Sequence, residues 1–326
     1  MGQSFRWYVA KKVIYLAITI WLILTFNFIL FRAIPGDVTR IVIPKNATPE
    51  VLENLKHYYG LDKTLPEQYL IYLKQLFTGH LGESISFQTG WRIEDFLGGY
   101  LLNTLVLVGF GTALSILVGI WFGRYTAWNR GKAADRVGSA FFLVFYCMPT
   151  FLFALVMLTL AAKLAPDWPI SGAYSPTYYT MPTLAQLGDR VVHTLLPLFA
   201  LVIETIATFS IITRSALIDV MTEEYMTTAV AKGLRGGDIL RKHAMPNAML
   251  PVVTVIAMNV GWVLSGSIMI EMIFTYQGLG YLTYYAVINQ DYPLLQAAFM
   301  LEAVAVVIAN FIADLMLLRL DPRVKV

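Results

Sequence analysis

Six long apolar runs constrain the fold of this chain more than any other feature of its sequence. Each approaches or exceeds the roughly 20 residues that a helix needs to cross the hydrocarbon core of a bilayer. The runs occupy residues 13–31, 100–123, 138–162, 192–213, 250–274 and 294–318. Only 14% of the 326 residues are charged, against about a quarter in a soluble domain. The sequence therefore predicts an all-α integral membrane protein with six transmembrane helices in a single domain, residues 1–326.

The distribution of basic residues predicts the orientation of these helices. With the N-terminus inside, the inner segments hold 15 of the 24 Lys and Arg residues. Seven of the other nine lie in the outer loop 32–99, which is too long to follow the positive-inside rule. The two remaining outer loops carry only Lys163 and Arg190. We therefore predict that both termini are cytoplasmic, and we expect the first run to be a retained span because it exceeds a signal-peptide core.

The outer loop 32–99 is long enough to contain short helices of its own. Thr48-Pro49-Glu50 predicts the start of one helix, which Gly60 ends. Thr64-Leu65-Pro66-Glu67 has capping-box spacing and predicts a second helix. Glycines at positions 79, 82 and 90 then break the chain. We expect a small helical cap on the outer face.

The inner loop 214–249 is the most informative part of the chain. Residues 216–234 are predicted to be helical, Gly236-Gly237 to turn the chain, and Asp238 to cap a second short helix ending at His243. Small side chains at 227–229 and 231 allow a close approach by another surface, and Gly233 allows a sharp exit from the helix. The residues by themselves fit either a docking helix or an amphipathic linker at the lipid interface.

A set of residues in and after this loop resembles the EAA loop of ABC-importer permeases, in the form found in their oligopeptide/dipeptide group. The matching positions are Tyr225, Thr228, Ala229, Ala231, Lys232, Gly233, Leu234, His243, Asn247, Ala248 and Pro251. Thr227 stands where the broader motif has Glu, and Thr228 takes the place of its first Ala. Both departures are typical of the peptide group.

Further motifs extend this resemblance over nearly the whole chain. They are Arg32-Ala33-Ile34-Pro35-Gly36-Asp37, Tyr59-Gly60-Leu61-Asp62, Gly79-His80-Leu81-Gly82-Glu83-Ser84, Glu271-Met272-Ile273-Phe274, Asp291-Tyr292-Pro293 and Asp321-Pro322-Arg323. The resemblance implies a type I ABC-importer permease fold in a prokaryotic cytoplasmic membrane. It also implies that Thr227 belongs with the matching residues to the segment that docks an ATPase, which we term the coupling segment, residues 224–251.

The resemblance implies a function and a set of partners. The chain would be a permease subunit of an ATP-driven importer of di- or oligopeptides, pairing with a homologous or, as an alternative, an identical subunit. Two cytoplasmic ATPases would hold ATP and Mg²⁺, and an external solute-binding protein would deliver the solute. Membrane lipid surrounds such a chain, and no nucleic-acid partner is expected. Oligosaccharides and nickel chelates are alternative solutes, because similar permeases are thought to move them.

Ionisable and amide side chains within the apolar runs are candidates for the substrate pathway. An ionisable group at bilayer depth is a functional candidate by default, although an interhelical hydrogen bond explains it equally well. Our candidates are Glu204, Asn259, Glu271 and Glu302, and Asp314 is a further interior acid. Pro149 and Pro197 are positioned to kink the third and fourth runs. Gly119-x-x-x-Gly123 permits close helix approach.

The sequence predicts no catalytic site in this chain. It lacks a G-x-x-x-x-G-K-[ST] phosphate loop and an H-E-x-x-H metal motif, and Cys147 is its only cysteine. We therefore expect no enzyme activity, no metal site and no bound cofactor. A secondary transporter without an ATPase is a second hypothesis, and it predicts repeated three-span halves with broken helices. A membrane scaffold that transports nothing is a third.

Overall fold

The computed structural model describes residues 2–33, 63–263 and 268–320. In these ranges the regular structure is helical, apart from one isolated antiparallel bridge between Glu83 and Arg92. The helices are α1 (Gly2–Ala33), α2 (Leu65–Phe77), α3 (Ile93–Thr104), α4 (Phe110–Trp128), α5 (Ala133–Cys147), α6 (Thr150–Leu164), α7 (Thr183–Met221), α8 (Glu224–Ala231), α9 (Gly236–Asp238), α10 (Met245–Val263), α11 (Ile268–Ile273), α12 (Leu279–Ile288) and α13 (Tyr292–Leu320). Turns of π-helix at Leu105–Gly109 and Ile239–Ala244 join α3 to α4 and α9 to α10.

Four of the described helical segments are long and apolar enough to cross a membrane. They are Val9–Ala33, Ile93–Trp128, Thr183–Met221 and Tyr292–Leu315. The bent pair α5 and α6 supplies a fifth candidate if the two count as one span. The predicted run 250–274 falls on α10 and α11, and residues 264–267 between them lie outside the described residues. The membrane class is thus supported, whereas the number six remains a prediction.

The third predicted span is bent and not one straight helix. Helix α5 ends at Cys147, α6 begins at Thr150, and the two meet at 100°. Between them Met148 has an extended backbone with ψ of 127°. Because proline lacks an N–H and disfavours the helical conformation of the preceding residue, Pro149 explains the break. Pro197, the second predicted kink, lies inside the continuous helix α7.

Helix α7 is the central element of the described bundle. It has 39 residues, which corresponds to a length of roughly 58 Å. Helix α4 lies directly against it: a Cβ added at Gly119 would lie 2.6 Å from Phe209 Cβ, and one added at Gly123 would lie 2.6 Å from the Ser210 carbonyl oxygen. These distances are shorter than carbon and oxygen atoms tolerate, so the predicted close approach at these two glycines is confirmed.

The largest apolar cluster surrounds the middle of α7. It joins α7 to the π-turn before α4, to α6 and to the stretch after α11, through Leu107, Ala154, Ala207, Phe274 and Tyr276 among others. A second cluster packs the end of α1 against α3, α12 and α13. A third surrounds the end of α7 and holds the coupling segment. The coupling segment therefore lies at the C-terminal end of the same long helix whose middle forms the core.

Part of the predicted outer cap lies within the described residues. Helix α2 begins as predicted, because Glu67 Oε2 accepts the Thr64 backbone N–H at 3.0 Å and the Thr64 hydroxyl at 2.9 Å. Gly79, Gly82 and Gly90 all have positive φ, as predicted chain-breaking positions should. The helix predicted for residues 48–60 lies outside the described residues.

Candidate functional site

The helix of the coupling segment, α8, is held against the bundle by one narrow face. Met226 and Ala229 are buried, at 5% and 6% exposure, and they stand three residues apart, so they share a side of the helix. They pack in a cluster with Leu217 near the end of α7 and with Ile239 and Ala244 beyond the turn. Helix α8 is therefore fixed to the end of α7, and a displacement of one is expected to displace the other.

The remaining faces of α8 are exposed. Tyr225 is 43% exposed and Val230 is 64% exposed. The coupling residues that are exposed in the same way are Thr227, Thr228, Ala231, Lys232, Gly233 and Leu234. Ala229 differs from them because it faces inward. The small side chain of Ala229 is predicted to allow another protein surface to approach. In the structure this side chain instead allows α8 to pack closely against its own bundle.

Helix α8 ends just before Gly233, the glycine that the sequence predicts at its exit. The Lys232 N–H donates to the Thr228 carbonyl at 3.1 Å, and the Gly233 N–H donates to the Val230 carbonyl at 2.9 Å. Gly233 then has φ of +71°, and an added Cβ would meet nothing within 4 Å. The position therefore needs glycine for its backbone conformation and has open space around it.

The structure corrects three predictions for the inner loop. The single helix predicted for 216–234 is broken, because α7 ends at Met221 and α8 begins at Glu224. Asp238 makes no side-chain cap; its carboxylate instead pairs with Lys242 at 2.9 Å, one turn further along the helix. The second helix also does not end at His243, since helical structure continues from Gly236 through the π-turn into α10.

The last three coupling residues lie on this continuous helix. His243 is partly buried, and its carbonyl accepts the Asn247 side-chain amide at 2.9 Å. Asn247 is itself exposed, and Pro251 is an exposed residue inside α10. The structure thus divides the coupling residues between α8 with its exit turn and the start of a helix that enters the predicted membrane region.

Glu271 is the most enclosed of the four pathway candidates. Its side chain is 0% exposed. Oε1 accepts the Thr104 hydroxyl at 2.8 Å, and Oε2 accepts the Tyr281 N–H at 3.0 Å. The same Thr104 oxygen accepts the Leu279 N–H at 2.7 Å. Both N–H groups belong to the first turn of α12, which has no intrahelical partners for them, so Glu271 and Thr104 together cap that helix.

The other three pathway candidates have different partners. The Thr150 hydroxyl, at the 100° bend, donates to Glu204 Oε2. Thr283 on α12 donates to Glu302 Oε1 at 2.9 Å, and Asn259 donates to the Val255 carbonyl of its own helix. Glu271 and Glu302 therefore flank α12, whereas hydrogen bonds among the described side chains do not join all four candidates. Asp314, the further interior acid, forms an ion pair with Lys12 on α1 at 2.5 Å.

An ion pair that sequence reasoning did not identify lies close to the coupling segment. Asp135, in the first turn of α5, accepts Arg214 Nε at 2.7 Å and Nη2 at 3.0 Å. The Gly131 N–H and the Ser139 hydroxyl complete its contacts at 2.9 and 3.1 Å. Arg214 lies two turns before the end of α7, so this bidentate pair ties α5 to the helix that carries α8. The sequence does not show that these two residues meet, because 79 positions separate them.

A second buried acid connects distant parts of the opposite end of the bundle. Asp291 is 0% exposed, and its Oδ2 accepts the Ser84 hydroxyl at 2.6 Å and the N–H groups of Ile85 and Ser86 at 3.0 and 2.9 Å. Oδ1 accepts the Leu294 N–H at 3.3 Å, within the first turn of α13. Asp291 thereby fixes the loop before α3 onto the start of α13.

Comparison with known proteins gives matches over both parts of the chain. Residues 91–326 match the family described as binding-protein-dependent transport system inner membrane component, and residues 5–88 match the N-terminal component of such membrane proteins.

Several curated relatives match nearly the whole chain. A putative peptide permease protein of Brucella ovis is 33% identical over 306 residues, covering 92% of each chain. The oligopeptide transport system permease protein AppB of Bacillus subtilis is 30% identical and covers 92% of this chain and 93% of its own. A di/tripeptide transport system permease protein DppB of Pseudomonas aeruginosa is 30% identical over 98% of both chains.

A solved structure resembles the fold. A chain of the MetNI methionine ABC transporter, in an inward-facing conformation, superposes with a TM-score of 0.54. The match covers 70% of this chain and 97% of that one, at 16% sequence identity. At this identity the likeness concerns the fold alone.

Proposed function

Because the chain belongs to the family of binding-protein-dependent transport system inner membrane components, we propose that it is the permease subunit of an ATP-driven importer of di- or oligopeptides. The observation that carries this proposal is the similarity to peptide permeases over 92–98% of the chain. The family also supports an integral membrane location and a subunit without catalytic activity of its own. ATP hydrolysis is assigned to separate subunits, which would hold the ATP and Mg²⁺.

The geometry of the coupling segment supports a docking role. A helix transmits movement only if one side is fixed to its own protein and another side is free to bind a neighbour. Helix α8 has both sides, since Met226 and Ala229 fix it to the end of α7 and Tyr225, Thr227 and Thr228 are exposed. We assign the exposed face to the groove of an ATPase. Closure of two ATPases on binding ATP would then draw two such helices together and open the pathway outward, and hydrolysis would reverse this.

The proposed assembly extends beyond this chain. It contains six spans with both termini cytoplasmic in a type I importer fold. A second homologous permease completes the pathway, with an identical copy as the alternative. Two ATPases bind the inner side, and an external solute-binding protein binds the outer side. Its membrane is the cytoplasmic membrane of a prokaryote.

We assign the pathway candidates different places in the proposal. Glu302 and Glu204 each retain partial exposure with one hydroxyl partner, which leaves their carboxylates able to meet a solute. Asn259 is also partly buried, on α10. Glu271 is enclosed by the helix that it caps, so we propose that it shapes the pathway through α12 and does not contact solute directly.

The alternative solutes and the alternative class lead to different measurements. Permeases for oligosaccharides or nickel chelates would share this machinery, so a solute screen is needed to separate them. A secondary transporter would take up solute without an ATPase. A mild-detergent pull-down of the tagged chain from its host tests this first: two ATPases, a second permease and a solute-binding protein are expected. A lone chain or a plain homodimer would contradict the proposal.

The docking role is tested by a substitution in the open space at Gly233. We expect Gly233→Trp to abolish ATP-driven uptake of tetra-alanine into vesicles, and to release the ATPases from the pull-down, because the indole blocks the exposed surface. Gly79→Trp is the matched control. Gly79 also has a positive φ, of +76°, and no neighbour within 4 Å of an added Cβ, but it lies after α2 in the predicted outer loop.

The control separates docking from backbone strain, since both substitutions force a bulky residue into the left-handed region. Thr228→Trp, on the exposed face of α8 without such strain, is expected to behave like Gly233→Trp. Equal uptake by all three variants and the unchanged protein would disprove the docking assignment.

A further inference from the structure

A cluster of tyrosines and one arginine lies at the end of the bundle predicted to face outside. It is formed by Tyr174, Tyr178 and Tyr179 in the loop before α7 and by Arg190 in the third turn of α7. The ring centroids of Tyr174 and Tyr178 are 4.9 Å apart, and those of Tyr178 and Tyr179 are 5.2 Å apart. The Arg190 guanidinium carbon lies 5.0 Å from the Tyr178 centroid and 5.6 Å from that of Tyr174.

Backbone hydrogen bonds hold this loop firmly in place. The Gly172 N–H donates to the Phe274 carbonyl at 2.9 Å, and the Ala173 N–H donates to Gln277 Oε1. The Ser175 N–H donates to Asp189 Oδ2 at 2.8 Å. The tyrosines are therefore attached to the stretch after α11 on one side and to α7 on the other. Their positions are set before any solute arrives, which lowers the entropic cost of binding.

Within the described ranges, no carboxylate forms an ion pair with Arg190. Its Nε is buried and has no hydrogen-bond acceptor there. The neighbouring acid, Asp189, is engaged by the Ser175 N–H and by His193, whose Nδ1 lies 3.5 Å from Oδ1. Burial raises the pKa of Tyr174 to about 12, so this phenol stays neutral and does not balance the charge. Among the described residues, the contacts of the guanidinium are thus with the rings of Tyr174 and Tyr178.

This arrangement has the chemistry of a carboxylate receptor. A guanidinium presents Nε and Nη as a planar fork that matches the two oxygens of a carboxylate. The enclosed Nε would gain the acceptor that it lacks. Next to it, Tyr179 is 76% exposed and offers a ring against which an apolar or amide group attached to the carboxylate can pack.

We propose that Arg190, with Tyr174, Tyr178 and Tyr179, binds the C-terminal carboxylate of the peptide as it enters the pathway. This inference rests on the proposed function and names the part of the solute that the permease itself binds. A half-buried cation between two rings fits one small carboxylate better than the broad acidic surface of a docking protein. Docking of the solute-binding protein is therefore the competing outcome of the test.

The test compares tetra-alanine with tetra-alanine amide, which lacks the carboxylate. Uptake of each is measured in proteoliposomes that contain the complete complex, ATP and the same saturating solute-binding protein. We expect Arg190→Gln to lower uptake of the free acid about tenfold to a hundredfold, the range for a lost charge-assisted contact, and to leave uptake of the amide unchanged. Arg190→Lys, which keeps the charge without the fork, is expected to be intermediate.

Lys163→Gln is the matched control, because it removes the only other basic residue of the same predicted outer loop. We expect Lys163→Gln to leave the uptake of tetra-alanine and of its amide unchanged. If Arg190→Gln lowers the uptake of both peptides equally, Arg190 belongs to a docking surface and the inference is overturned. Unchanged uptake of both peptides would overturn it too. If the unchanged complex imports neither peptide with ATP, the proposed function fails as well.

A second measurement covers the case in which Arg190→Gln does not assemble. Phenylglyoxal modifies accessible arginines, and mass spectrometry of the unchanged complex reports modification of Arg190. Tetra-alanine is expected to protect Arg190 and the amide is not. Equal protection, or none from either peptide, would overturn the assignment.

Discussion

Asp291 provides the sharpest test of how this fold is held together. Its buried carboxylate accepts five groups of the loop before α3 on Oδ2, at 2.6–3.3 Å. They are the Ser84 and Ser86 hydroxyls and the N–H groups of Ile85, Ser86 and Phe87. Oδ1 caps α13 through the Leu294 N–H. The substitution Asp291→Asn removes the charge and one of the two acceptor oxygens, so the NH₂ group that replaces this oxygen must face donors of the loop or of α13.

The expected magnitude follows from these contacts. A hydrogen bond to a charged group contributes about 1.5–3 kcal/mol, and a buried donor left without an acceptor costs about 1–3 kcal/mol. Five loop donors lose a charged acceptor, but Ile85, Ser86 and Phe87 are only partly buried, so water replaces some of the lost hydrogen bonding. We therefore expect Asp291→Asn to lower the free energy of opening this loop by about 3 kcal/mol.

Hydrogen exchange measures this directly in the purified protein. Since each 1.4 kcal/mol is a factor of ten, the amides of Ile85 and Ser86 should exchange about a hundredfold faster in Asp291→Asn. Asp95→Asn is the control, because it removes the same charge from an exposed position in the first turn of α3 and should leave these amides unchanged. Exchange that is unchanged in Asp291→Asn, or equally faster in both variants, would refute the reasoning.

Three further predictions concern helix contacts. Asp135→Ala is expected to destabilise the protein by about 2–3 kcal/mol, which is less than the roughly 3–5 kcal/mol for a fully buried pair because Arg214 is 30% exposed. A denaturation cycle with Arg214→Ala should show non-additivity, and additive losses would argue against the pair. Gly123→Ala should lower the free energy of unfolding by about 1–3 kcal/mol, because the added methyl group forces α4 away from α7. Its control Gly98→Ala, with no neighbour within 4 Å of an added Cβ, should stabilise α3 by about 0.5–1 kcal/mol. A thermal unfolding experiment that ranks the two variants in reverse would contradict this packing. Met226→Ala should loosen α8, increase proteolysis of the coupling segment and reduce ATP-driven uptake, and unchanged cleavage would disprove the anchoring.

The sequence by itself determined the features that depend on neighbouring residues. A run of 20 apolar residues indicates a membrane helix wherever it occurs, and most of the described spans fall on the predicted runs. The capping box of Thr64 and Glu67 joins residues three apart, and Gly233 ends α8 through its own backbone freedom. The break at Pro149 follows from the proline ring. Each of these is local, so a single stretch of sequence is sufficient to predict it.

Only the tertiary structure decided which residues meet across the chain. Asp135 and Arg214 are 79 positions apart, and Asp291 is more than 200 positions from Ser84. Glu271 has the sequence features of a pathway acid but caps α12, and Ala229 matches a docking motif but faces its own bundle. Hydropathy shows that a helix has an apolar side, but it does not show which residues pack against that side. The orientation of α8 and the partners of the buried acids depend on how separate helices pack, and that arrangement is a property of the folded chain.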